Sequence, residues 1–319
     1  MSSTLVSRVL NNKPGVSPIN RARIRSIIEK HNYVPNALAR SLVTQKTNTI
    51  GVVMETLLNS FFFDFINGIQ DMAEEMEYSV IFGSGNNDLS LMMSYINNFS
   101  QGWVDGVIAH YTRNTEQDKF YEIIDRASNF VIVEGDIPGK AINKVQINNF
   151  EGAYRATEHL IKRGCKNIVH FAGEMQWCCS KERANGFLKA MKDYSLPTDN
   201  AVIQVDFLEN LSYKTMKQMI ADKKVPEGCF AAADKAAYGV LRAMHEHGLS
   251  APNDIAVIGF DGDAPDTRNM VFPKLTTMRQ PFYEVGREAV RLLVSSIEDS
   301  KALPVTTVFT AEFIQGETT

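Results

Sequence analysis

The chain has 319 residues, 44% of them hydrophobic and 22% charged, which is ordinary globular composition with room for two or three folding units. No apolar run reaches the roughly 18 residues that a membrane helix needs, and the N-terminus lacks a basic-then-apolar export pattern, so the expected location is cytoplasmic. Charge is unevenly divided: Arg8, Lys13, Arg21, Arg23, Arg25, Lys30, Arg40 and Lys46 against Glu29 make residues 1–46 formally +7, in a chain whose total is −4. A basic head on an acidic body fits a head that meets a polyanion, although a solvated terminus would look the same on charge alone.

In chain order, the hydroxyl residues Ser2, Ser3 and Thr4 followed by Leu5, Val6, Val9 and Leu10 at helical spacing predict a first helix. Lys13-Pro14-Gly15-Val16-Ser17 breaks it, and Ser17-Pro18 opens a second helix with Ile24, Ile27 and Ile28 on one face. Ser3, Thr4, Ser7 and Arg8 fall on or beside the outer face of the first helix, where short polar groups and an Arg suit the reading of base edges. Pro35 and the good helix formers Ala37, Leu38, Ala39, Arg40 and Leu42 predict a third helix over 33–42, too short to hold alone in water.

From Thr49 short apolar strands alternate with helices. Strands are predicted at Ile50–Met54, Tyr78–Phe82, Val104–Ala109, Phe130–Val133, Ile168–Ala172, Ala201–Gln204, Cys229–Ala232 and Ile255–Ile258, with helices at Phe61–Glu75 and Leu89–Gln101. Such a rhythm implies parallel sheet covered on both faces, and so many strands favour two doubly wound α/β lobes over one. Ligands of open α/β sheets sit at the carboxyl ends of strands, so positions just past Met54, Ala172, Val205 and Ile258 are candidates. Phe61, Phe62, Phe207 and Phe260 cluster near such ends, and Arg183 and Asp261 add charged hydrogen bonding suited to a hydroxyl-rich or anionic ligand. Taken singly each Phe reads as core, and an Arg–Asp pair also suits a buried bridge.

The order of residues is more specific than their chemistry. Ser-Ser-Thr-Leu-Val-Ser-Arg-Val-Leu-Asn-Asn-Lys-Pro-Gly-Val-Ser-Pro, then Arg21-Ala22-Arg23-Ile24, then Asn32-Tyr33-Val34-Pro35-Asn36-Ala37-Leu38-Ala39-Arg40-Ser41-Leu42, resembles the DNA-binding head and hinge of the lac repressor family. The resemblance continues through Asn59-Ser60-Phe61-Phe62, Asn148-Asn149-Phe150-Glu151-Gly152-Ala153, Arg183-Ala184-Asn185-Gly186-Phe187, Pro252 to Asp261, and Gln280-Pro281. These resemble the family's effector domain, related in fold to periplasmic sugar-binding proteins.

The resemblance implies a helix-turn-helix head and hinge helix over 1–46 and an effector domain over 47–319. The N-lobe is expected at about 47–147 and 281–306, the C-lobe at about 148–280 and 307–319. It implies that Ser3, Thr4, Ser7 and Arg8 read bases, that Leu38 wedges into the minor groove beside the partner's hinge, and that Arg183 and Asp261 contact the effector. Three departures stand out. The family's first head helix would precede Met1, so the head is expected to be incomplete and to expose Leu5, Val9 and Ile24. Ala233-Asp234 stands where Asn-Asp is common, and Gly135 where Asp is frequent, leaving Trp177 and Lys181 to shape the pocket.

Enzyme signatures are missing: Gly83-Ser84-Gly85 lacks the spacing of a nucleophile elbow, and no Gly-rich loop ends in Lys-Ser or Lys-Thr. His245-Glu246-His247 precedes Gly248 at a predicted helix end, where His suits the dipole. Cys165, Cys178, Cys179 and Cys229 follow no metal spacing and read as reduced thiols, so neither metal nor cofactor is expected. The expected protein is a transcription regulator, and more narrowly a repressor. It binds duplex operator DNA as a homodimer and senses a small polar metabolite such as a sugar or sugar derivative. The alternative is a solute-binding protein without DNA-binding activity, which would need an export signal and would have no use for the basic head.

Overall fold

The computed structural model describes residues 3–10, 12–32, 41, 44, 46–57, 62–112, 124, 129–135, 139–263, 272–299 and 301–319. The chain divides into two compact units, 1–47 and 48–319. The first holds α1 (Ser3–Leu10) and α2 (Pro18–Lys30). Ser17 caps α2 by accepting a hydrogen bond from the Asn20 amide at 3.4 Å, and Pro18 fills the first turn, where a missing N–H costs nothing. The two helices pack on Val9 and Ile24, which are 3% and 2% exposed. The expected exposure of this face is therefore corrected for those two residues, and Leu5 is half-buried. The pair closes on itself because Arg21 donates to the Lys13 carbonyl at 2.7 Å and Arg25 to Asn12 Oδ1 at 3.0 Å, pinning the turn between them. The third predicted helix, with Leu38, lies outside the described residues apart from Ser41.

The second unit begins with β1 (Thr49–Met54), α3 (Phe62–Glu75), β2 (Ser79–Ser84), α4 (Leu89–Asn98), β3 (Gly106–His110), β4 (Phe130–Val133) and β5 (Asn143–Ile147). It continues with α5 (Asn149–Lys162), β6 (Ile168–Ala172), α6 (Cys178–Asp193), β7 (Val202–Gln204), α7 (Glu209–Ala221), β8 (Gly228–Ala231), α8 (Asp234–Glu246), β9 (Ala256–Asp261) and β10 (Thr276–Arg279). Last come α9 (Phe282–Glu298), β11 (Thr306–Phe309) and β12 (Glu312–Ile314). The strands form two six-stranded sheets in the orders β11-β5-β4-β3-β1-β2 and β12-β10-β9-β8-β6-β7. All pairs are parallel except β10 with β12. Two doubly wound α/β lobes result, as a rhythm of buried strands and amphipathic helices dictates.

Several local differences have plain causes. The helix expected over Leu89–Gln101 passes into a π turn at Phe99–Trp103, where Gly102 takes φ +95°, a conformation open to glycine. The return to the second sheet, expected at 306–307, comes after Phe309, because β11 follows β5 in register as far as Ile147. Helices α3 and α9 cover one face of the first sheet around Ile50, Val52, Phe65, Ile69, Val290 and Leu293. In the second lobe Phe187, Phe230, Ile258 and Phe260 fill the space under α5 and α6.

That core also holds a histidine. His170 on β6 is fully buried, stacks on Phe230 at 4.5 Å, and has Nδ1 2.9 Å from the Phe230 carbonyl. Burial lowers its pKa to about 4, against the raising effect of that carbonyl. The unfolded chain therefore binds a proton that the folded chain refuses as pH falls from about 6.5 to about 4, and roughly 3 kcal/mol of stability is lost across that window. Urea midpoints of the wild type should fall more steeply over this range than those of His170→Gln. Parallel curves would remove the assignment.

Candidate functional site

The carboxyl ends of β1, β3 and β4 in one lobe and of β9 and β10 in the other carry several of the buried polar groups of this unit. On the C-lobe side Arg183, 3% exposed, projects from the first turns of α6. Its Nε donates to Asn149 Oδ1 at 2.8 Å, one terminal nitrogen donates to the Ala232 carbonyl, and the same nitrogen lies 3.5 Å from Asp261 Oδ1. The guanidinium carbon sits 3.8 Å from the centroid of the Phe260 ring. Gln280 Nε2 donates to Asp261 Oδ1 at 2.6 Å, while its Oε1 is buried with no hydrogen-bond partner among the described residues. Burial pushes the Asp261 carboxyl up to about 7, with Arg183 and the Gln280 hydrogen bond pulling the other way.

On the N-lobe side Glu134 follows β4, His110 ends β3 and Glu55 follows β1. Glu134 Oε2 lies 3.8 Å from His110 Nε2, and Asn149 Nδ2 donates to Glu134 Oε1 at 3.5 Å. Asn149 thus touches Arg183 with one side-chain atom and Glu134 with the other, joining the two walls. A second bridge is the Cys178 amide donating to the Thr112 carbonyl at 2.8 Å. Glu134 and Asp261 adopt φ +63° and +120°, positive values that are uncommon for residues other than glycine.

The structure brings Arg183 and Asp261 together. Phe62 is 3% exposed and packs under the site, edge-on to His110 at 4.8 Å and against Phe282 at 5.9 Å, as part of the N-lobe core. Phe207 is half-buried in the C-lobe, over Gly173, where a Cβ would come within 2.4 Å of its ring. Phe61 lies outside the described residues, as does Leu38. Trp177 is half-buried at the N-cap of α6, and Lys181 is exposed. Gly135 has a backbone reason: a Cβ there would stand 2.1 Å from the Tyr111 carbonyl oxygen. On α1, Thr4 and Arg8 are exposed one turn apart, with Val9 turned inward.

Glu55, His110, Glu134, Asn149 and Gln280 were not among the site residues read from sequence. His110 follows Ala109, where the third strand was expected to end, and Gln280 follows β10, which was not assigned. The carboxyl-end rule would have reached both with truer strand limits.

A family described as bacterial regulatory proteins, lacI family, matches residues 2–36, and one described as a periplasmic binding protein-like domain matches residues 157–319. The catabolite control protein A of Priestia megaterium is 30% identical over 296 residues, 92% of this chain and 88% of that protein. The ribose operon repressor of Halalkalibacterium halodurans is 31% identical over 299 residues, covering 93% and 87%. Among solved structures, a lac repressor dimer bound to operator and the anti-inducer ONPF superimposes with a TM-score of 0.87 at 22% identity, over 100% of this chain and 95% of that one. A regulator from Enterococcus faecium with bound ribose gives 0.74 at 26% identity, covering 85% and 98%.

Proposed function

The chain belongs to the lacI family of bacterial regulatory proteins and is a DNA-binding transcription regulator governed by a small-molecule effector; from that premise we propose the residues that do each task. Thr4 and Arg8, with Ser3 and Ser7, read operator bases from α1 in the major groove. Leu38 wedges into the minor groove. Arg183 and Asp261 hold a polar, sugar-like effector where the two lobes face each other. The working division is a head of residues 1–46 and an effector body of 47–319, acting in the cytoplasm as a homodimeric repressor on a two-fold operator. The observation that carries the effector reading is the buried Arg183, held by Asn149 and Asp261 at the carboxyl ends of parallel strands. Effector and operator affinities are then linked reciprocally through the disposition of the lobes and the hinge segment 36–43.

Fluorescence anisotropy of the whole chain on duplex DNA from upstream of its own gene, across a salt series, tests the DNA half. Specific binding should weaken steeply with salt, because the basic head displaces counterions. Leu38→Ala should weaken operator binding about tenfold or more with effector affinity unchanged, since the wedge pays for the bend. Equal loss of both affinities would remove the hinge assignment. Arg8→Ala should cost about 1–3 kcal/mol of operator discrimination. Salt-insensitive binding with no preference for that DNA would favour a plain solute-binding protein.

A further inference from the structure

Asn149 sits where the chain crosses between the lobes. It is the first residue of α5, just past the last strand residue of β5, and Asn148 beside it fixes the crossing twice. The Asn148 amide donates to the carbonyl of Phe309, the end of β11, at 2.8 Å, and its side chain caps α5 by accepting from the Glu151 amide at 2.9 Å. Asn149 itself is 3% exposed. Chemistry sets the orientation of its side chain. Arg183 Nε can only donate, so it faces Oδ1 at 2.8 Å, whereas carbonyl and carboxylate oxygens accept, so Nδ2 serves the Ile147 carbonyl at 3.2 Å and Glu134 Oε1 at 3.5 Å. Glu182 on α6 is a further neighbour. Desolvation and then the Glu134 charge hold its carboxyl above the usual range, with Arg183 and a hydrogen bond from Asn149 working the other way. The Asn149 amide thus stands between a carboxyl group of the N-lobe and one of the C-lobe.

Two features suit this residue to passing on a displacement. The amide is short and planar, so a turn about its Cβ–Cγ bond that carries Oδ1 after a displaced guanidinium swings Nδ2 the opposite way. The Arg183 contact is also short, while the Glu134 contact lies at the outer limit of hydrogen-bond length, where a small displacement decides whether it is made. Glu134 in turn reaches His110 at 3.8 Å, and the His110 ring packs edge-on to Phe62 at the head of α3.

Resting on the effector reading above, we propose that Asn149 is the positioning residue that couples the effector to the N-lobe. An effector that engages Arg183 shifts the guanidinium, Asn149 follows, and its hold on Glu134 is made or released. The N-lobe wall at Glu134 and His110 therefore registers what happens to a cation of the other lobe. Asn149 acts through Arg183 and Glu134, not on the effector.

A triple-mutant cycle on urea unfolding of the full chain tests the tie with no ligand present. Arg183→Lys and Glu134→Ala, made singly and together, should be non-additive by about fivefold in the unfolding constant, and in an Asn149→Ala background the non-additivity should fall below about twofold. Additive substitutions, or a coupling that survives Asn149→Ala, overturn the proposal. Asn149→Ser repeats the cycle if the alanine variant does not fold. Operator binding tests the transmission, with D-ribose, D-glucose and cellobiose as probes. A sugar that binds the wild type should change its operator affinity about fivefold or more. Asn149→Asp keeps an acceptor for Arg183 and lacks the amide donor, so there the change should fall below about twofold while sugar affinity falls by less than about threefold. A mere strut would lose sugar affinity and keep the change in operator affinity, which overturns the relay; the cycle alone decides if none of the three sugars binds. A sugar that binds Arg183→Ala as tightly as the wild type strikes the effector reading, whereas a missing Arg183–Glu134 coupling strikes the relay and leaves that reading standing.

Discussion

Arg183→Ala is expected to reduce effector affinity about a hundredfold or more while leaving operator affinity in the absence of effector within about twofold. The guanidinium is the one buried cation described in the cleft, and its removal takes away the donor to Asn149 and the counter-charge to Asp261. Breaking a buried ion pair from one side costs about 3–5 kcal/mol, because the partner stays buried and uncompensated. Part of that cost appears as lost stability. Asp261 softens it by holding its proton: burial already lifts its pKa to about 7, and Arg183 is what restrains it. A raised carboxyl binds its proton more tightly folded than unfolded. The variant's stability deficit should therefore be largest well above pH 7 and shrink as the pH falls to about 7, below which both proteins hold the proton and the deficit stays constant. Arg183→Lys keeps the charge and loses the planar fork, so it should bind effector with intermediate affinity. Calorimetry and urea unfolding on the three proteins distinguish a ligand contact from a mere strut: a strut would lose stability and retain effector affinity in the folded fraction.

The interior of the fold was legible because its strands are continuous apolar runs. Phe130–Val133 and Ile168–Ala172 coincide with β4 and β6, both wholly buried. The strands that escaped notice are polar or short. β5 reads Asn-Lys-Val-Gln-Ile with two of its five residues buried, β10 reads Thr-Thr-Met-Arg, and β11 and β12 hold the sheet edges. An edge strand buries little, so hydrophobicity does not betray it.

Site residues divided along the same line. Arg183 and Asp261 stood out as charges beside apolar strands, and the resemblance to the lac repressor family placed them in the effector pocket. Glu134, His110 and Glu55 lie one residue past or at strand ends, and their significance comes from neighbouring strands in register, a relation that one-dimensional order conceals. Phe62 reads like a ligand-stacking ring in sequence but fills the core under His110. Composition alone does not separate an aromatic residue above a site from one beneath it.

Gly68→Ala is expected to destabilise the effector body by about 3 kcal/mol, although alanine favours a helix by about 1 kcal/mol over glycine. A Cβ at Gly68 would lie 2.0 Å from the Tyr283 carbonyl oxygen, and one at Gly286 would lie 2.4 Å from that of Phe65. Helices α3 and α9 therefore cross backbone to backbone, with a glycine on each side. A carbonyl is part of the helix ladder and yields only if the helices part, whereas a side chain could swing away. Tyr283 to Asp71 at 2.8 Å and Arg287 to Glu75 at 2.9 and 2.8 Å clasp the exposed side of the crossing, and such surface pairs are too weak to absorb the separation. Gly164→Ala is the control: its φ is +102° with nothing within 4 Å, so it should cost only about 1 kcal/mol of backbone strain. Parting the helices also moves Phe62, at the start of α3, away from the His110 ring it packs against at 4.8 Å. Gly68→Ala should thus weaken effector binding in the fraction that remains folded, and Gly164→Ala should not. Urea midpoints with calorimetry on both variants decide the matter, and a neutral Gly68→Ala would mean that the helices do not meet so closely.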